Sequence, residues 1–185
     1  MTDISDPGPP LTMQEIEQVE KKLNVSFPAD YKAFLLKNNG GVPSPGDFDC
    51  VDGESSAVAW FYSIEPKSES DILFSNNMRK GRLPKGFVAI ASDGGGNEIC
   101  LDCKPGPQFG CVYFWDHEME ADRSAGMKPE NAGNTHLVAN SFSRLIECLY
   151  NSPTPDIPDE LKGTGSTPPE NEGIFEALMK RKGLL

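Results

Sequence analysis

The chain has no apolar run long enough to cross a bilayer, since its hydrophobic stretches stop well short of the roughly 18 residues that a spanning helix needs. The opening residues, MTDISDPGPPL, lack the basic end and apolar run of a secretory signal and carry acids and prolines instead. The expectation is a cytoplasmic protein with no targeting segment of its own. A phosphate-cradling loop is also missing, because Gly94, Gly95 and Gly96 are not followed by the lysine and helix of a P-loop. There is no glycine-flanked serine elbow and no internal repeat.

Positive charge is in short supply. The 17 Lys and Arg residues face 28 Asp and Glu, for a formal charge of −11. Between residues 11 and 150 alone, 13 bases face 20 acids, a net −7, so the excess is not confined to a tail. Such a field repels phosphate backbones and argues against nucleic acid as a direct ligand. It attracts a basic partner and speeds the encounter. The five cysteines, Cys50, Cys100, Cys103, Cys111 and Cys148, are an odd number, and reduced thiols are the default expectation in a cytoplasmic chain.

What is present begins with two short helices marked at both ends. Thr12 followed by Glu15 has the spacing of a capping box, and Ile16, Val19 and Leu23 then recur at helical spacing. Asn24-Val25-Ser26 breaks the pattern, and Phe27-Pro28 restarts it with proline in a first turn that tolerates the missing N–H. Tyr31, Phe34 and Leu35 form the second apolar face, and Asn38-Asn39-Gly40-Gly41 supplies residues that close a helix in a left-handed conformation.

This run, IEQVEKKLNVSFPADYKAFLLKNNGG from Ile16 to Gly41, resembles the opening of the SUKH superfamily, the Smi/Knr-type domain. A second block carries the same resemblance. The glycine turn Gly94-Gly95-Gly96 leads through Asn97 into a strand ending in Leu101-Asp102, and Val112-Tyr113-Phe114-Trp115 runs into Asp116-His117-Glu118. With the helix near Phe142 to Tyr150, the likeness covers most of residues 11 to 150. It implies an α+β fold and a binding module, because the family shares no catalytic residue set. Its bacterial members are mostly immunity proteins that bind and neutralise secreted polymorphic toxins, often nucleases. Its fungal members are regulators associated with cell-wall synthesis.

The rest of the chain reads consistently with an α+β class, a mostly antiparallel sheet flanked by the N-terminal helical hairpin and a helix near 141–150. Residues 1–10 are expected to be a disordered leader, and Val42-Pro43-Ser44-Pro45-Gly46 a loop. Strands are expected near Phe48–Val51, over Ala57–Ile64, over Phe87–Ala91 with both faces buried, over Ile99–Asp102 and over Cys111–Trp115. Ser70 or Asp71 caps a short helix to about Met78. Pro153, Pro155, Pro158, Pro168 and Pro169 mark a linker, followed by a short helix over Glu172–Lys182 that docks on the body or makes a dimer contact; monomer is the default.

Between Asp93 and Asp122 seven acids face a single base, Lys104. Asp93, Asp102, Asp116 and Glu118 fall near strand ends, where recognition residues gather. With Glu98, His117 and the adjacent aromatic Trp115 they form the candidate partner-binding set, suited to a toxin domain with a basic face. The competing account makes them turn residues on a solvated rim. Trp60, Phe61 and Tyr62 are further aromatic candidates, with Trp60 and Tyr62 on one face and Phe61 on the other. The basic stretch Arg79, Lys80, Arg82 and Lys85 reads as a solvated loop.

A zinc site would recruit Cys100, Cys103, Cys111 and His117, but Cys100 sits inside an apolar strand and the second close pair is missing. A metal-dependent hydrolase would use Asp93, Asp116 and His117. Neither is expected, and no metal or cofactor is assigned. The leading expectation is a non-catalytic immunity protein that occludes a toxin's active surface. The alternatives are a regulatory scaffold with several cytoplasmic partners and, behind it, the hydrolase.

Overall fold

The computed structural model describes residues 2–66, 68–122 and 124–152. The expected linker and terminal helix beyond residue 152 lie outside the described residues. Thr12 opens α1 (Met13–Leu23): its side chain accepts from the Glu15 N–H, and the Glu15 carboxylate accepts from the Thr12 N–H at 2.8 Å. Ile16 and Val19 face the core, and so does Glu20, which pairs with Lys32 at 2.8 Å. Asn24 closes α1 and Asn39 closes α2 (Ala29–Asn38), both left-handed, with φ 56 and φ 48. Pro28 stands one residue earlier than the first turn: it is the N-cap of α2, with extended ψ 151.

The leader is not disordered as expected. Asp3–Ser5 form β1, which pairs antiparallel with β2 (Val42–Ser44). Asn39 ties this segment down: its Nδ2 donates to the Pro9 carbonyl at 2.8 Å and its own carbonyl accepts from the Gly8 N–H at 3.0 Å. Gly41 permits the close pass, since a Cβ there would lie 2.5 Å from the Ser5 oxygen, at φ +107.

The apolar run Ala57–Ile64 is split rather than forming one strand. Ala57 ends β4 (Ser55–Ala57), which pairs with β3 (Asp47–Asp49), whereas β5 (Trp60–Phe61) joins the main sheet. The chain crosses between the two sheets at Val58 and Ala59, whose N–H groups donate to Gly46 and Ser92 carbonyls, each at 2.8 Å.

The main sheet is an antiparallel meander in the order β5-β6-β7-β8-β9, with β6 (Phe87–Ser92), β7 (Glu98–Asp102), β8 (Val112–Trp115) and β9 (Thr135–Ala139). The α2 helix and α4 (Phe142–Cys148, capped by Ser141) cover one face. There the rings of Phe34, Phe61 and Phe142 meet with centroids 4.8 to 5.6 Å apart. On the other side α3 (Ile72–Met78), capped by Asp71, lies beside β6. Because β5 is so short, the edge of β6 would be left open at Ala89. The Asn76 amide closes it, accepting from the Ala89 N–H at 2.9 Å and donating to the Ala89 carbonyl at 2.8 Å. With both sheet faces covered, every residue of β7 is buried, and the protein is α+β.

Candidate functional site

At one end of the sheet, the β6–β7 turn stands between β5 and the loop after β8. Asp93 organises the turn as its N-terminal acceptor. Its Oδ1 takes the N–H groups of Gly95 (2.7 Å) and Asn97 (3.0 Å), and its Oδ2 takes the Asn97 Nδ2 at 2.6 Å. Gly94 and Gly96 hold the turn at positive φ, +80 and +105, a conformation glycine adopts without strain. A Cβ at Gly94 would come within 3.7 Å of Trp60 Cζ3, and one at Gly96 within 3.1 Å of the His117 ring. The turn therefore runs between Trp60 on one side and His117 on the other. Asn97 fastens the second contact, its Oδ1 accepting from the His117 N–H at 3.0 Å and pairing with His117 Nδ1 at 2.8 Å.

The loop after β8 is held in its turn. Asp116 Oδ1 accepts from the Glu118 N–H at 2.8 Å, and Asn134 Nδ2 donates to the Asp116 carbonyl at 2.6 Å. Arg82 binds both Glu120 oxygens, with Nε 3.0 Å from Oε2, and its guanidinium lies 5.4 Å from the centre of the Trp115 ring. The result is a lip with Asp93, Asp116 and His117 half-buried along it, Glu118 and Met119 exposed, and Trp60 37% exposed at its edge.

Three residues of the expected set are not on this surface. Trp60, Ser92, Glu98 and Trp115 are successive partners across the strands, so their side chains share one face. Glu98 and Trp115 lie under the covering segments and are 0% exposed. Glu98 accepts from the Tyr62 hydroxyl at 2.8 Å and lies 2.8 Å from the Arg79 guanidinium. Burial outweighs both partners and raises its carboxyl to about 7. Asp102, also 0% exposed, is covered by the β7–β8 connection, whose Lys104 N–H donates to Asp102 Oδ1 at 2.8 Å. The expectation that strand-end acids face a partner fails for Glu98 and Asp102, and Trp115 is core. All three are overtaken by the segments that fold over β7.

Sequence reasoning missed Asn97 and Met119 and read Arg82 as a solvated loop residue. An asparagine directly after three glycines was the available signal for the first; nothing local announced the Arg82–Glu120 pair. Asp93 and Asp116 serve their own turns, and among the described residues no three His, Cys, Asp or Glu side chains group as metal ligands would. Cys100 and Cys103 are buried, and burial drives both thiols upward, Cys103 to about 12.

Fold and site together define an α+β domain whose exposed features sit in turns at the end of an antiparallel meander. The chain belongs to the SMI1 / KNR4 family (SUKH-1), which it matches over residues 10–148. It is similar to the SPbeta prophage-derived uncharacterized protein YokK of Bacillus subtilis (strain 168), 25% identical over 160 residues that cover 77% of this chain and 76% of the relative. It is also similar to uncharacterized protein YnaB of the same organism, 57% identical over 107 residues. That match covers 58% of this chain and 61% of YnaB, so the chain spans a little under two thirds of that relative. Among the described residues no helix is long and apolar enough to cross a membrane.

Proposed function

We propose that this protein is a non-catalytic, protein-binding member of its family that acts as an immunity protein in the cytoplasm, covering the active surface of a toxin domain with a basic face. The observation that carries this reading is the lip itself: exposed and half-exposed carboxylates beside an accessible tryptophan, on turns already immobilised by internal hydrogen bonds. Pre-ordered turns lose little entropy on binding, aromatic anchors slow release, and an acidic rim steers a basic partner. The engagement of Asp93 and Asp116 in their own turns supports binding over hydrolysis.

Calorimetric titration of the full chain with the toxin domain encoded beside its gene tests the proposal. Saturable one-to-one binding with a Kd on the order of nanomolar, weakened roughly ten-fold or more by Trp60→Ala and by Glu118→Lys, is expected. Several weaker partners in place of one tight one would favour the regulatory scaffold. Binding that ignores both substitutions would remove the lip from the contact.

A further inference from the structure

The far end of the same sheet has the opposite character. The start of β6, the end of β7, the C-terminal end of α1 and the segment after α3 enclose an open cleft of about 870 Å³. Its walls carry Leu23, Val25, Leu73, Leu83 and Phe87, each partly buried against the core. A second depression of about 650 Å³ shares Asn24, Val25, Cys103 and Pro105 with it and continues the groove to Phe109, 40% exposed.

Lys22, Lys80, Lys85 and Lys104 line the larger cleft, and all four are exposed. None of them forms an ion pair among the described residues, where the cations that do are Lys32, Arg79, Arg82, His136 and Arg144. The carboxylate lining the cleft is Glu130, whose Oε1 accepts from the Lys85 backbone N–H at 3.1 Å. Arg79 also lines it but is turned to Glu98. In a chain of formal charge −11, four lysines against the single carboxylate of Glu130 around an apolar groove reverse the sign of the average surface. Their mutual repulsion is relieved by an anion.

The shape and chemistry choose among anions. Inorganic phosphate would leave the apolar walls wet. A nucleic acid strand would meet the negative field of the rest of the molecule, and its bases would find no row of exposed aromatics to stack on. A peptide satisfies both parts, with carboxylates at the lysines and apolar side chains on the walls. We propose that this groove receives an extended acidic segment of a partner protein, its apolar residues against Val25, Leu83 and Phe87 and its carboxylates against the four lysines. The site is separate from the lip, at the other end of a six-residue strand and roughly 20 Å away.

The test is selection of a random peptide display library of roughly a dozen residues per member on the immobilised full chain, then fluorescence anisotropy of the enriched peptides. The expected result is enrichment of Asp and Glu interleaved with Leu, Ile or Phe. Binding should weaken as salt is raised and fall roughly ten-fold or more with Lys80→Glu combined with Lys104→Glu. Both positions are exposed, and unchanged circular dichroism and melting would confirm that the variant folds. Trp60→Ala and Glu118→Lys should leave this binding intact, so failure of the lip and failure of the groove are told apart. No enrichment, enrichment without acidic bias, or equal binding to the doubly substituted chain would overturn the proposal. Competition by polyphosphate or single-stranded DNA as strong as by the peptide itself would reassign the groove to phosphate.

Discussion

Asn97 and His117 are joined twice through one oxygen: Asn97 Oδ1 takes the His117 backbone N–H at 3.0 Å and faces the ring Nδ1 at 2.8 Å. The orientation of the amide follows from its other end. Asn97 Nδ2 lies 2.6 Å from Asp93 Oδ2, and an ionised carboxylate only accepts, so the oxygen must face His117 and Nδ1 must carry a proton. One side chain thus links the glycine turn to the loop after β8. Asn97→Ala should cost about 1–3 kcal/mol in urea denaturation and speed amide exchange at residues 94–97 and 117. Asn97→Asp keeps the acceptor but sets a carboxylate against Asp93, so its stability deficit should shrink as the pH is lowered.

Gly96 should tolerate no side chain. At φ +105 an added Cβ would sit 3.1 Å from His117 Cε1, so Gly96→Ala combines backbone strain with displacement of the ring. A loss of about 2–3 kcal/mol is expected, with a shift of the His117 ring resonances. Gly53 is the control, since φ is +97 there but nothing lies within 4 Å of the added Cβ. Gly53→Ala should cost about 1 kcal/mol and leave His117 unchanged.

Glu98 makes stability depend on pH with a defined sign. Its carboxyl is raised from 4.5 to about 7 by burial, so between these values the folded chain holds a proton that the unfolded chain releases. Its contribution to stability therefore falls as the pH rises through that window, by about 1 kcal/mol per pH unit at most, and levels off above it. Glu98→Gln keeps an acceptor for Tyr62 and cannot titrate. Relative to the variant, the parent should lose stability between about pH 5 and pH 8 in urea denaturation. A constant difference across that range would show that Glu98 does not change protonation there.

The Arg82–Glu120 pair holds the loop after β8 over Trp115. Glu120→Ala should cost only about 1 kcal/mol, because both side chains remain partly in water. Its larger effect should be local, with faster amide exchange over residues 116–121 and a red-shifted Trp115 emission as water reaches the ring.

Removal of residues 1–9 should destabilise the chain, because β1 supplies the partner of β2 and Pro9 and Gly8 hold Asn39. Asn39 is 1% exposed, and its amide would be left with the Ile64 contacts alone. A lower thermal midpoint and a loss of about 2–4 kcal/mol are expected, against near-neutrality for a disordered leader.

Local signals made much of this fold legible. The Thr12–Glu15 capping box stands where the sequence placed it, Asn39 is the left-handed residue within the expected helix stop at 38–41, and Asp71, of the pair Ser70 or Asp71, caps α3; each signal acts within a few residues. The strands at 87–92, 98–102 and 112–115 were likewise readable from short apolar runs. The leader was misread because its acids and prolines carry no local pattern, and its order comes from pairing with residues some forty positions away. In the site, the sequence marked Asp93, Asp116, His117 and Glu118 as binding candidates in segments flanking the strands, where the structure leaves them half-buried or exposed, whereas the burial of Glu98, Asp102 and Trp115 was not legible.

The sequence by itself determined the first helix start, the helical stop at 38–41, the three central strands and the family, because hydrogen-bond caps and side-chain periodicity are encoded by near neighbours. Only the tertiary structure decided which acids meet water. Arg79 lies nineteen positions before Glu98 and Arg82 thirty-eight before Glu120, and no local pattern encodes those meetings. They exist because the chain from the end of α3 onward reaches across to Glu98 and Glu120, burying Glu98 while Asp93 and Asp116 stay half-exposed and Glu118 exposed at the same end of the sheet. The same packing gathers four lysines from three separate segments around one groove at the opposite end.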